Sequence, residues 1–112
     1  MNAKVFVDTN IFVYAKLESP KHSDKSKKAR IFLKSLNDDV MVSTQVLNEF
    51  ANVLLRHKVK DKEVYRCVQE IIRGATVQPV DLPTIERAWR IKEKFKFSYW
   101  DSVIIASAQE SY

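Results

Sequence analysis

The chain has 112 residues, 46% of them hydrophobic, which suits one soluble domain with a modest core. Nineteen lysines and arginines against fourteen acids give a net charge of +5, which favours an anionic partner such as nucleic acid. One cysteine and one glycine exclude an internal disulfide, a cysteine zinc cluster and a glycine-rich phosphate loop. Because no signal peptide or membrane-spanning run is visible, we expect a cytoplasmic protein that makes no use of a membrane.

The first predicted element is a short apolar run that ends in an acid. Residues 5–7 are β-branched or aromatic and predict a buried parallel strand, and residues 11–14 begin a helix. Asp8 follows the strand, at the edge where open α/β sheets form their sites. The alternative is that Asp8 only caps the helix that follows it.

The middle of the chain alternates between helical and strand patterns. One predicted helix begins near residue 23, and three others cover 45–57, 61–74 and 83–94. The predicted strands cover 40–42 and 76–80. Gly74 is expected to end its helix as a C′ glycine, and Trp89 is expected to face inward. Pro79 lacks an amide hydrogen and therefore predicts that the third strand lies at a sheet edge. This alternation predicts an α/β domain with a parallel sheet.

The last helix begins near Ser98 and Asp101, which have the spacing of a capping box. Its residues 103–108 are apolar on nearly every side, which predicts a central, buried helix. Tyr99 and Trp100 flank the start of this helix. They could stack on nucleic-acid bases, although a place in the core is the expected one.

Three acids share one type of position in this pattern. Asp8 follows the first strand, Glu49 lies in the second turn of the helix after the second strand, and Asp101 lies in the first turn of the last helix. These positions face one edge of a right-handed parallel sheet, so the carboxylates could converge. Periodicity alone makes Glu49 a surface acid, and capping explains the two aspartates. If the acids converge, Mg²⁺ or Mn²⁺ would relieve their repulsion and activate water for attack on a phosphodiester.

Residues 5–10, 42–50 and 97–108 together resemble the PIN-domain nucleases, and most of all the VapC-type toxins of prokaryotic toxin–antitoxin pairs. The resemblance covers residues 1–112 and implies a single PIN-like domain, a three-layer α/β fold with a central parallel sheet flanked by helices. It also implies a metal-dependent endoribonuclease that uses Mg²⁺ or Mn²⁺.

The resemblance also implies roles for individual residues. Asp8, Glu49 and Asp101 match the metal-binding acids of the family. Asn10 matches the polar position two residues after the first acid, where a hydrogen bond would orient a carboxylate.

Members of this family usually form homodimers, and an antitoxin segment commonly blocks the acidic pocket. They also normally continue past the last helix into further strands that carry a fourth acid. We therefore expect a C-terminally truncated toxin whose last strands are missing. Its first strand would be an open edge, covered by a second copy, by the antitoxin or by a separately made tail.

Two other functions are compatible with the same residues. The domain could be catalytically inactive and bind RNA or antitoxin. It could also be a phosphatase with Asp8 as the nucleophile, but Asn10 stands where that mechanism needs a second aspartate as the general acid.

Overall fold

The computed structural model describes residues 4–17, 21 and 23–110. The elements in chain order are β1 (Val5–Phe6), α1 (Thr9–Lys16), α2 (Ser23–Leu36), a 3-10 turn (Asn37–Asp39), β2 (Val40–Ser43), α3 (Thr44–Arg56), α4 (Asp61–Gly74), β3 (Thr76–Gln78), α5 (Leu82–Phe95) and α6 (Tyr99–Glu110). None of the helices in this part of the chain combines the length and the apolarity needed to cross a bilayer.

The three strands form one parallel sheet in the order β1-β2-β3. Val5 pairs with Val40, and Met41 pairs with Thr76. All four residues of β2 are buried, as expected for the central strand of a covered sheet. The predicted parallel α/β architecture and the predicted edge position of the third strand, just before Pro79, are confirmed. β1 forms the other edge of the described sheet.

The main core lies between the sheet and helices α1 to α4. Its centre is formed by Val42, Val46 and Leu54, each at most 1% exposed. Phe12 and Phe50 join α1 to α3 through an edge-to-face ring contact with centroids 6.2 Å apart. This core fixes α3 between α1 and α4, and so fixes the direction of the residues on the remaining face of α3.

Helices α5 and α6 pack against each other around a separate apolar cluster, which contains Ala88 and Val103. The prediction that α6 is buried on nearly every side was wrong, since Ile104 and Ile105 are only half-buried. Among the described elements, α5 is the one that packs extensively against α6, so a single face of α6 is covered. One link to the rest of the domain is a 2.9 Å hydrogen bond from the Val80 amide to Thr44 Oγ1.

Three local predictions also need correction. Gly74 is the last residue of α4 and has no positive φ, so it does not act as a left-handed C′ residue. Among the described residues, the left-handed positions follow α2, α3 and α5 instead, at Asn37, Lys58 and Lys96, with φ of 53°, 61° and 60°. Trp89 and Trp100, expected inside, are 54% and 55% exposed. Each error concerns burial or backbone geometry that depends on neighbouring elements rather than on sequence spacing.

Candidate active site

A cavity of about 300 Å³ lies where α1, α3 and α6 come together. All three acids singled out by the sequence line it, namely Asp8, Glu49 and Asp101. Asp8 comes two residues after β1, and α3 begins directly after β2. The cavity therefore lies at the carboxyl ends of the strands, where open α/β sheets bind their ligands.

Asp8 is both a helix cap and a cavity residue. Its Oδ1 accepts a 2.8 Å hydrogen bond from the Thr9 amide at the start of α1. No described residue donates to Oδ2, and the side chain is exposed. The capping explanation is thus correct, and it still leaves one carboxylate oxygen available to the cavity.

Glu49 is held by two hydrogen bonds and is not a free surface acid. The Thr9 hydroxyl donates to Oε2 at 2.8 Å, and the Gln45 amide donates to Oε1 at 3.1 Å. Glu49 is half-buried and Thr9 is 5% exposed. The two donors come from different helices, so they fix the carboxylate relative to both α1 and α3. Thr9 was not predicted, because its partner is 40 positions away in the sequence.

Asp101 lies in the first turn of α6, and its carboxylate has no hydrogen-bond donor among the described residues. Its amide donates to Ser98 Oγ at 3.1 Å, which is one half of the predicted capping box. The return bond, from the Ser98 amide to the Asp101 carboxylate, is not formed between these described residues. The exposed carboxylate is therefore free to turn toward the cavity.

Asn10 also lines the cavity, but its exposed side chain makes no hydrogen bond to a described carboxylate. The hydrogen bond that orients Glu49 comes from Thr9 instead. The role assigned to Asn10 by the resemblance stays a prediction.

Further lining residues carry a positive charge and an aromatic ring. Asn52 and Arg56 lie three and seven positions after Glu49, on the same side of α3, and Trp100 precedes Asp101. A guanidinium beside carboxylates is suited to bind the phosphate of a substrate that the acids alone would repel. The helical spacing of Arg56 from Glu49 is the signal by which it could have been found.

The donor chemistry of the cavity fits a hard divalent cation. Its acids and amides supply oxygen ligands, which Mg²⁺ and Mn²⁺ prefer, and neither histidine nor cysteine lines it. As the side chains stand, no three Asp, Glu, His or Cys residues of the described ranges are close enough to hold a metal ion together. The three acids thus share a cavity without meeting at a single point.

The PIN domain family model matches residues 5–111, and the chain belongs to that family. A toxin–antitoxin complex from Klebsiella pneumoniae contains a similar chain, 16% identical, with a TM-score of 0.73 over 97% of this chain and 80% of that one. VapC20 of Mycobacterium tuberculosis, a sarcin–ricin loop cleaving toxin, is 20% identical, with a TM-score of 0.76 over 95% of this chain and 82% of that one. At these identities the likeness concerns the fold, and the predicted PIN-like fold is confirmed. No curated protein matches the chain.

Proposed function

We propose that this protein is a metal-dependent endoribonuclease and the toxin of a toxin–antitoxin pair. The observation that carries the proposal is the shared cavity of Asp8, Glu49 and Asp101, contributed by three distant segments of a PIN domain. The net charge of +5 favours an RNA substrate over an uncharged one.

In this proposal the three acids hold Mg²⁺ or Mn²⁺. The ion, when bound, supplies an activated water and neutralises charge on the phosphoryl group and the leaving oxygen. Thr9 and Gln45 hold the Glu49 carboxylate in place through their hydrogen bonds. Asp101 is exposed and accepts no hydrogen bond from a described residue, so its side chain can rotate toward a shared ion at little cost, while Asp8 offers Oδ2 and keeps Oδ1 as the cap of α1.

Arg56 is assigned to the substrate. Its guanidinium lines the cavity and would bind a nonbridging oxygen of the scissile phosphodiester. The reaction is hydrolysis, in which water attacks the phosphorus in line with the leaving ribose oxygen.

The proposed partners are a protein antitoxin, which would block the acid-lined cavity, and a second copy of this chain. The fold shared with a chain of the Klebsiella pneumoniae toxin–antitoxin complex supports the first of these. With cellular RNA as the substrate, the proposed location of the activity is the cytoplasm. Analytical ultracentrifugation of the purified chain tests self-association. A single monomeric species would contradict the proposed homodimer.

Cleavage of a mixed RNA pool tests the activity. With Mg²⁺ or Mn²⁺ present, the unaltered chain should cleave the pool, and Asp8→Asn should abolish cleavage. Asp24→Asn is the matched control, because Asp24, like Asp8, is an exposed acid at the start of a helix but does not line the cavity.

The second candidate function is an inactive PIN domain that binds RNA or antitoxin. This candidate is favoured because no three acids of the described residues lie close enough together to hold a metal ion as the side chains stand. Absence of cleavage by the unaltered chain would support it. Calorimetric titration with Mn²⁺ then tests the site itself, since binding to Asp101→Asn as tight as to the unaltered chain would exclude Asp101 from metal binding.

A further inference from the structure

The turn between α5 and α6 carries an exposed aromatic surface. Five rings lie between residues 89 and 100, and we call them the aromatic strip: Trp89, Phe95, Phe97, Tyr99 and Trp100. Four of the five have between 44% and 55% of their surface exposed, and Tyr99 is half-buried. Trp89, Tyr99 and Trp100 are in contact with one another through Tyr99, and contiguous exposed apolar surface of this kind marks a binding site more often than an ordinary surface.

The rings of the strip form two groups, and ring contacts within each group hold its members in place. Tyr99 lies between two tryptophans, with its centroid 5.0 Å from that of Trp89 and 5.2 Å from that of Trp100. Phe95 and Phe97 are stacked, with centroids 5.7 Å apart and planes 18° apart. Rings fixed by such contacts can present flat faces without losing much side-chain entropy on binding.

Positive charge is interleaved with these rings. Residues 90–96 contain four cations and one acid, and the ammonium of Lys94 lies 5.2 Å from the centroid of the Phe95 ring. The cores of protein–protein interfaces are depleted of lysine. Surfaces that bind single-stranded nucleic acid combine stacking rings with cations that follow the phosphates. The composition of the strip therefore favours nucleic acid over a protein partner.

The group of Trp89, Tyr99 and Trp100 reaches the acid-lined cavity. Trp100 contacts Tyr99 within the strip and also lines the cavity beside Asp101. A strand whose bases stack on the strip would therefore bring its backbone to the carboxylates.

We propose that the aromatic strip binds unpaired bases of the substrate, so that the cavity receives single-stranded rather than duplex RNA. This inference rests on the proposed RNA substrate. It deepens that proposal by assigning the substrate class to a surface outside the acids. Base stacking needs an accessible base face, which a duplex offers only at its ends.

Direct binding measurements test the inference. A labelled single-stranded RNA of about 12 nucleotides and a duplex of the same sequence are titrated by fluorescence anisotropy, with EDTA present to prevent cleavage. Phe95→Ala combined with Phe97→Ala should weaken single-strand binding by about fivefold or more and leave duplex binding unchanged. Phe95→Tyr combined with Phe97→Tyr should restore binding, because the stacking faces return.

Tyr65→Ala is the matched control, since Tyr65 is an aromatic residue on α4 that is 64% exposed and lies outside the strip. It should leave both affinities unchanged. Circular dichroism confirms that the variants are folded, and the Tyr pair provides a second check that packing is intact.

Equal loss of single-strand and duplex binding would overturn the inference, as would no loss at all. If ultracentrifugation shows that the alanine pair separates a dimer while RNA affinity is unchanged, the surface belongs to a second copy of the chain. The two proposals fail separately. If RNA binding depends on the strip but the chain does not cleave RNA, only the proposed nuclease activity is overturned. If the chain cleaves RNA but binding does not depend on the strip, only this inference is overturned.

Discussion

The hydroxyl of Thr9 donates a 2.8 Å hydrogen bond to Oε2 of Glu49 and so joins the first turn of α1 to the second turn of α3. Thr9 is 5% exposed, so water competes little for this bond. The same residue supplies the amide that binds Asp8. One residue therefore contacts two of the three acids, through its side chain and its backbone.

Removal of the Thr9 hydroxyl should weaken metal binding. Thr9→Val keeps the shape of the side chain but leaves Glu49 with Gln45 as its only described donor. Because outer hydrogen bonds orient ligand carboxylates, we expect affinity for Mn²⁺ to fall by about 10- to 100-fold. Calorimetry measures the change, and Thr9→Ser should retain most of the affinity. Equal affinities for the valine variant and the unaltered chain would show that the bond does not orient a ligand.

Two adjacent leucines of α3 should differ sharply in their effect on stability. Leu54 is fully buried in the main core, whereas Leu55 is 47% exposed. Leu54→Ala should lower the free energy of unfolding by about 2–5 kcal/mol, because it leaves a cavity. Leu55→Ala should cost about 0.5 kcal/mol or less. Urea denaturation measures both, and similar costs would contradict the packing described for α3.

The hydroxyl of Thr84 connects the two ends of the α5–α6 hairpin. It lies 2.8 Å from Asp81 Oδ1 at the start of α5 and 2.7 Å from Glu110 Oε2 at the end of α6. Thr84 is fully buried, and its bonds lower the pKa of Asp81 below the ordinary range of that carboxyl. The hydroxyl thus helps to keep α6, and with it Asp101, against α5.

The single hydroxyl hydrogen can be donated to only one of the two carboxylate oxygens at a time. Thr84→Val removes it and should lower the free energy of unfolding by on the order of 1–3 kcal/mol, because Glu110 Oε2 then loses this possible donor in a largely buried position. Thr84→Ser keeps the hydroxyl and should cost less. Urea denaturation compares the two variants, and equal losses would assign the effect to packing rather than to the hydrogen bonds.

Glu63 should make the stability of the domain depend on pH in acid. It accepts hydrogen bonds from Arg66 in α4 and, at 2.9 Å, from Lys16 in α1. These bonds lower its pKa from 4.5 to about 2, with Arg66 the larger cause. A lowered pKa in the folded state stabilises the fold above the unfolded pKa, and that contribution is lost as the pH falls from about 4.5 toward 2.

The variant Glu63→Gln should therefore melt at a lower temperature than the unaltered chain at neutral pH. The difference should shrink as the pH falls from 4.5 toward 2, where the folded chain protonates the carboxylate. Thermal melting followed by circular dichroism at several pH values measures it. Glu70→Gln is the control, because Glu70 pairs with Arg66 within one helix and does not connect α1 to α4. A difference that stays constant with pH would contradict the assignment.

Local patterns predicted much of the fold. The apolar spacing after residue 61 predicted the observed start of α4, although Gly74 lies inside this helix rather than after it, and the bounds of α3 differ from the prediction by one residue at each end. The third strand is shorter than predicted and ends at Gln78. Such patterns work because side chains three or four positions apart in a helix share a face, whatever lies opposite.

The sequence by itself determined the α/β class and the three acids that line the cavity, since both follow from strand ends and helix starts along the chain. Only the tertiary structure decided that Thr9 orients Glu49 and that Trp89 and Trp100 are exposed. A hydrophobic side chain is more stable when it is buried, but it is buried only where a second element packs against it. That element, like the partner of Thr9, is distant in the sequence and is chosen only when the chain folds.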